Sequence, residues 1–132
     1  MFSLRLPRLG VWFKAIRVPF FTATIIPVTL GSILAWYDAN NFNWIKFCWT
    51  LLGAMFIHAG TNLGNDYFDH LSGGDAANPN PTPFSGGSRV IQQGLIAPDQ
   101  ILFAALLFFV LGSAIGLYLN YVSGRNVVLI LG

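Results

Sequence analysis

A bundle of membrane-spanning α-helices is the fold class that this sequence predicts, on three observations. Hydrophobic residues fill 55% of its 132 positions and charged residues only 9%, against roughly a quarter charged in ordinary globular chains. Three windows, 18–37, 47–65 and 100–124, carry no formal charge. Each meets the requirement of about 20 residues for a helix that crosses a hydrocarbon core. Helices are expected because lipid offers no water to unpaired backbone groups. A soluble domain of this size could not cover its surface with so few charges. A nucleic-acid partner is not expected either, since the net charge of +2 is small and scattered.

The elements follow in chain order. Arg5, Arg8, Lys14 and Arg17 precede the first uncharged window, and no short apolar core ends at an Ala-x-Ala-like site. A cleaved signal peptide is therefore not expected. The first span is placed at about 14–38, with Pro19 near its start and a kink expected at Pro27, whose ring removes one ladder donor. The second span covers about 44–70 and the third about 99–121, with 126–132 as the start of a fourth. Seven residues rise only about 10 Å as a helix, so the chain is expected to be the N-terminal portion of one larger transmembrane domain. Cys48 lies in an apolar stretch with no cysteine partner and reads as a buried small hydrophobe. Trp12, Trp36, Trp44 and Trp49 fit interfacial belts. Five basic residues, Arg5, Arg8, Lys14, Arg17 and Arg89, fall on one side of the expected bundle, and Lys46 and Arg125 on the other. That split puts the N-terminus and the loop at about 71–98 in the cytoplasm of a cell whose inner or plasma membrane holds the protein.

The 71–98 loop holds Pro79, Pro81, Pro83, Gly73, Gly74, Gly86, Gly87 and Gly94, yet also Phe84, Val90, Ile91, Leu95 and Ile96. Apolar content of that kind argues against disorder, and a short helix at 88–93 is expected.

All five acidic residues are aspartates, and three of them, Asp66, Asp69 and Asp75, lie within ten positions at the end of the second span. At about 100° per residue, His58, Asn62, Asn65, Asp66 and Asp69 share an arc of about 100° on one helix face. Ionisable groups at membrane depth are costly, and anions at a helix C-terminus oppose its dipole. The arrangement makes sense if the stripe faces a wet cavity and a cation neutralises it. Carboxylate and amide oxygens without thiols favour a hard ion, magnesium first, which keeps sites open for water and phosphate oxygens. Asn65, Asp69 and Asp75 suit that role, and Asp66 is a fourth candidate at the stripe's edge. A helix that merely turns polar as it leaves the membrane is the plain alternative.

The run Asn62-Leu-Gly-Asn65-Asp66-Tyr-Phe-Asp69-His-Leu-Ser-Gly73-Gly-Asp75 resembles the first aspartate-rich motif of the UbiA superfamily of intramembrane prenyltransferases. The six-residue step from Asp69 to Asp75 is similar to the branch that prenylates 1,4-dihydroxy-2-naphthoate in menaquinone synthesis. The stretch from Pro83 to Gly94 resembles that branch's loop after the motif, and Lys14-Ala-Ile-Arg17-Val-Pro19 its first-helix lead-in. The resemblance implies a larger bundle around a central cavity and a second aspartate-rich motif, which this sequence does not contain. It also implies magnesium-assisted departure of diphosphate from a polyprenyl diphosphate, and transfer of the prenyl group to an aromatic acceptor. Asn65, Asp69, Asp75 and Arg89 would carry the chemistry; Asn62, Asp66, Arg17, Lys14, Ser88 and Gln92 would face substrates. Alone, the chain would supply half a site and be inactive. Positive-inside anchoring also accounts for Lys14 and Arg17, and packing for His58, Tyr67 and Phe68. The rival class is a cation transporter or channel that uses the stripe as its ion site.

Overall fold

The structure is a computed structural model that describes residues 8–77, 79, 80, 82 and 86–124, with the side chains of Asp75 and Ala76 outside that description. The fold is all-α. In chain order it contains α1 (Leu9–Ala15), a 3-10 turn (Val18–Phe21), α2 (Thr22–Ala39), α3 (Trp44–Ser72), α4 (Gly74–Ala77) and α5 (Pro98–Val122). The segments Val18–Ala39 and Pro98–Val122 are long and apolar enough to cross a membrane. α3, with 29 residues, rises about 44 Å, but its polar face keeps it below that composition.

Several boundaries differ from expectation for identifiable reasons. The expected first span from residue 14 divides in two, because Arg17 takes a left-handed backbone with φ 56° and α1 ends one residue earlier at a cap on Ile16. Pro19 then sits in the 3-10 turn, while α2 continues through Pro27. The expected helix at 88–93 is a single turn. Its end matches the Schellman motif: Gly94 has φ 65°, Leu95 N–H donates to Val90 O at 2.9 Å, and Gly94 N–H donates to Ile91 O at 2.9 Å. One turn is all that fits before the left-handed glycine reverses the chain. Cys48 is exposed rather than buried, on a stretch of α3 with no protein cover at that position. The fourth segment, 126–132, lies outside the described residues.

Tertiary contacts divide the chain into two units. The first comprises the described parts of Met1–Val18 and Ala59–Leu107. It holds α1, the later part of α3, the loop and the beginning of α5. Ala15, Ala59, Leu63, Val90, Ile91, Ile96, Ile101 and Ala105 are its buried apolar residues. α5 opens well: Pro98 occupies the first helical position, where a missing N–H costs nothing. Gln100 Oε1 accepts the Ala97 N–H at 3.3 Å, the return half of a capping box.

The second unit comprises Pro19–His58 and the described part of Phe108–Gly132. Here α3 and α5 approach through glycine. A Cβ on Gly112 would lie 2.7 Å from Ile57 Cδ1 and 3.1 Å from the Gly53 carbonyl oxygen, and one on Gly53 would lie 2.9 Å from Ile115 Cγ2. Close approach of this kind lets membrane helices gain dispersion contacts without a hydrophobic driving force. Asn40 ends α2 in the left-handed conformation, and Asn43 Oδ1 accepts the Lys46 N–H at 2.9 Å to cap α3. Trp36, Phe42, Trp44 and Phe47 pack around that junction, edge to face except for the tilted pair Phe42–Phe47. With Thr29 and Ile33 they line an apolar cavity of 380 Å³.

Candidate functional site

The site belongs to the first unit, and α3 supplies its axis. Four of the stripe residues, Asn62, Asn65, Asp66 and Asp69, follow one another on α3 at spacings that put them on one face. The structure sorts them into two kinds. Asn62 and Asp66 are buried, at 8% and 2% exposure, whereas Asn65 and Asp69 are exposed.

The buried pair is occupied by the protein itself. Asn62 Nδ2 donates to Ile16 O at 2.8 Å, which satisfies a carbonyl left open where α1 ends. Asp66 Oδ1 accepts from Arg17 Nη2 at 2.7 Å, an ion pair, and from the Ser88 backbone N–H at 3.1 Å. Oδ2 accepts from Ser88 Oγ–H and shares the Ser88 N–H at 3.3 Å. Ser88 Oγ in turn accepts the Val90 N–H at 3.4 Å. Lys14 Nζ donates to Gln93 Oε1 at 2.9 Å in an exposed contact. Thus three separated stretches, 14–17, 62–66 and 88–93, meet through named polar bonds. Arg17 Nε is buried without a hydrogen-bond partner among the described residues.

The exposed pair presents oxygens outward. The side chains of Asn65 and Asp69 make no hydrogen bond to the described residues; Asp69 contributes only its backbone carbonyl, to Ser72 Oγ. Arg89 follows Ser88 with a left-handed backbone, φ 62°, and is partly exposed, as is Gln92. Both have interactions of their own. Asp75 lies in α4, directly after Gly73 with φ 73°, and its side chain is outside the description, as are Ser85 and Phe84. His58 belongs to the second unit, where its Nδ1 lies 2.6 Å from Thr24 Oγ1 and its ring 5.2 Å from that of Phe21. It is a packed, hydrogen-bonded histidine.

Which of these groups fit a metal follows from their free oxygens. No cluster of three or more His, Cys, Asp or Glu side chains is assembled among the described residues. Asn65 and Asp69 offer an amide and a carboxylate oxygen in the open, the hard donors that magnesium takes. Asp66 differs. A carboxylate has about four lone-pair sites, and three protein donors already direct four contacts at this one, with a guanidinium among them. Residue types alone did not reveal Gln93, which stands beside the expected Gln92. A signal was present: Gln93 precedes the glycine that closes the turn.

The comparisons with known proteins agree in kind. The profile described as the UbiA prenyltransferase family matches residues 24–131. Over 107 residues, 81% of this chain and 32% of the relative, the sequence is 30% identical to a 2-carboxy-1,4-naphthoquinone phytyltransferase of Synechocystis sp.. Over 98 residues, 74% of this chain and 30% of the relative, it is 30% identical to a 1,4-dihydroxy-2-naphthoate octaprenyltransferase of Bacillus subtilis. A UbiA prenyltransferase domain-containing protein 1 of Xenopus tropicalis is 23% identical over 83% of this chain and 30% of its own length. The chain thus spans about a third of the length of the curated relatives it matches. No solved structure matches significantly.

Proposed function

Since the chain belongs to the UbiA prenyltransferase family, we propose that the protein carrying it transfers a polyprenyl group from a polyprenyl diphosphate to an aromatic acceptor of the 1,4-dihydroxy-2-naphthoate class, in quinone synthesis. The observation that supports this most is the sorting of the α3 face: Asn65 and Asp69 stand exposed with unused oxygens, one turn from each other. The names of the Synechocystis and Bacillus relatives support the acceptor class.

Asn65, Asp69 and Asp75 would hold magnesium, which when bound supplies positive charge against the diphosphate oxygens. The chain's own residues do the rest. Arg89 places a permanent cation where the leaving diphosphate gathers charge, as electrostatic stabilisation of a departing group requires. The allylic C–O bond breaks, the electron pair leaves with the diphosphate, and a carbon of the electron-rich ring attacks the prenyl carbon. The ring then loses the group at that carbon, a proton or its carboxylate as carbon dioxide, and the bonding electrons left behind restore its aromaticity. Water would capture the prenyl cation, so the complete bundle would have to close over these exposed groups. α2, α3 and α5 would cross the bilayer, with the N-terminus and the 71–98 loop in the cytoplasm.

In the full-length protein, Asp69→Asn and Asp75→Asn should each reduce magnesium-dependent transfer by at least about 100-fold, at unchanged membrane expression. Full activity in both variants would remove the metal assignment.

A further inference from the structure

The bonds of Asp66 go beyond what a metal-binding motif needs. We propose that Asp66 is a positioning residue and not a metal ligand: its carboxylate clamps the 14–17 lead-in and the 86–96 strap onto α3, and so fixes Arg89 for the diphosphate. The last clause rests on the prenyl-diphosphate reading above; the clamp rests on geometry alone.

Four features carry it. First, the carboxylate is 2% exposed and its lone pairs are taken by Arg17 Nη2, Ser88 N–H and Ser88 Oγ–H. A divalent cation on the same oxygens would have to displace these donors and sit close to a guanidinium whose nitrogen is 2.7 Å away, against Coulomb repulsion in a site with little water. Second, both halves of the clamp are anchored independently. Asn62 binds the carbonyl of Ile16, next to Arg17, while Val90, Ile91 and Ile96 bury the strap at 0%, 8% and 2% exposure. Third, the residues that receive the clamp have an unusual backbone. Arg17 is itself left-handed, and Arg89, directly after Ser88, is left-handed too. Non-glycine residues keep that conformation where their surroundings over-determine it. Fourth, the neighbours of Asp66 on the same face, Asn65 and Asp69, are exposed. The face therefore divides the work: two residues look outward for a ligand and two hold the frame.

Hydrogen exchange reads the clamp directly. The full-length protein in nanodiscs, without magnesium or substrate, is compared with Asp66→Asn, Ser88→Ala and Asp69→Asn. Asp66→Asn and Ser88→Ala should each speed exchange of the 86–97 amides about tenfold, the loss expected for a buried charge-assisted bond, with residues 101–115 of α5 unchanged. Asp69→Asn should leave the strap as it was. In prenyl transfer, Asp66→Asn should raise KM for the polyprenyl diphosphate about tenfold without moving the half-saturating magnesium concentration, whereas Asp69→Asn should move the latter. Unchanged strap exchange in both Asp66→Asn and Ser88→Ala would overturn the clamp. A shifted magnesium requirement in Asp66→Asn with a quiet strap would make Asp66 a ligand after all. If Asp66→Asn exchanges fast along α5 as well, it has unfolded and Ser88→Ala decides alone. A parent protein that transfers no prenyl group would sink the proposed function while the exchange data still settle the clamp.

Discussion

Arg17 and Arg89 hold φ at 56° and 62°, a conformation that costs a residue with a Cβ roughly 1–2 kcal/mol. Glycine would avoid that cost, and the strap already uses it at Gly86, Gly87 and Gly94. The two arginines therefore stand where side-chain chemistry outweighs backbone comfort. This can be checked by comparing two truncations that both remove the guanidinium. Arg89→Gly should be more stable than Arg89→Ala by about 1 kcal/mol in thermal or denaturant unfolding, while both lose diphosphate affinity equally. Equal stability would mean that the backbone at 89 is not strained. Asp66 belongs to the same scale. Arg17 is 24% exposed and Asp66 2%, so the pair is only half sheltered. Its loss should fall nearer the 1–3 kcal/mol of an unmet buried hydrogen-bonding group than the 3–5 kcal/mol of a fully buried pair.

Among the helices, the contact between α3 and α5 in the second unit depends on two missing side chains. The Cβ of an alanine at 112 would press on Ile57 Cδ1, which can swing aside, but also lie 3.1 Å from the Gly53 carbonyl oxygen, which belongs to a helix backbone and cannot. Gly112→Ala should cost about 1–3 kcal/mol, the usual range for overpacking, and Gly112→Leu more. Gly31 in α2 is the internal contrast, since nothing lies within 4 Å of its added Cβ. Gly31→Ala should be neutral or gain up to about 1 kcal/mol from helix propensity. Heat stability of the two variants in one detergent makes the comparison; a harmless Gly112→Ala would mean that α3 and α5 do not touch there. The helix ends were largely readable in sequence terms. Pro98 and Gln100 announce the start of α5, and Gly94 announces a chain reversal. The break at Arg17 was not, because arginine carries no preference for left-handed backbone and the groups that hold it there, Asp66 on Arg17 and Asn62 on the Ile16 carbonyl, lie 49 and 46 residues away.

For the molecule as a whole, the proposed topology would put Arg89 on the cytoplasmic side and Lys46 opposite. With Cys48 and every other cysteine of the full-length protein replaced by alanine, a single cysteine at Asn43 should react with an impermeant thiol reagent applied to intact cells, and one at Gln93 only after lysis. The opposite pattern would invert the bundle. Composition and the uncharged windows were enough to predict an all-helical membrane chain, because the bilayer demands length and apolarity that any sequence must display openly. The aspartate run pointed to a site, because charges near the membrane are too costly to be incidental, and its resemblance to the family's motif pointed to the family. What the linear order could not show was which oxygens remain free. Asn62, Asn65, Asp66 and Asp69 share one face by helical arithmetic alone, yet partners 49 and 22 residues away close over Asp66 and none of the described residues closes over Asp69. Spacing along a helix sets direction, whereas availability for a ligand depends on what distant segments bring against each side chain, and only the folded chain decides that.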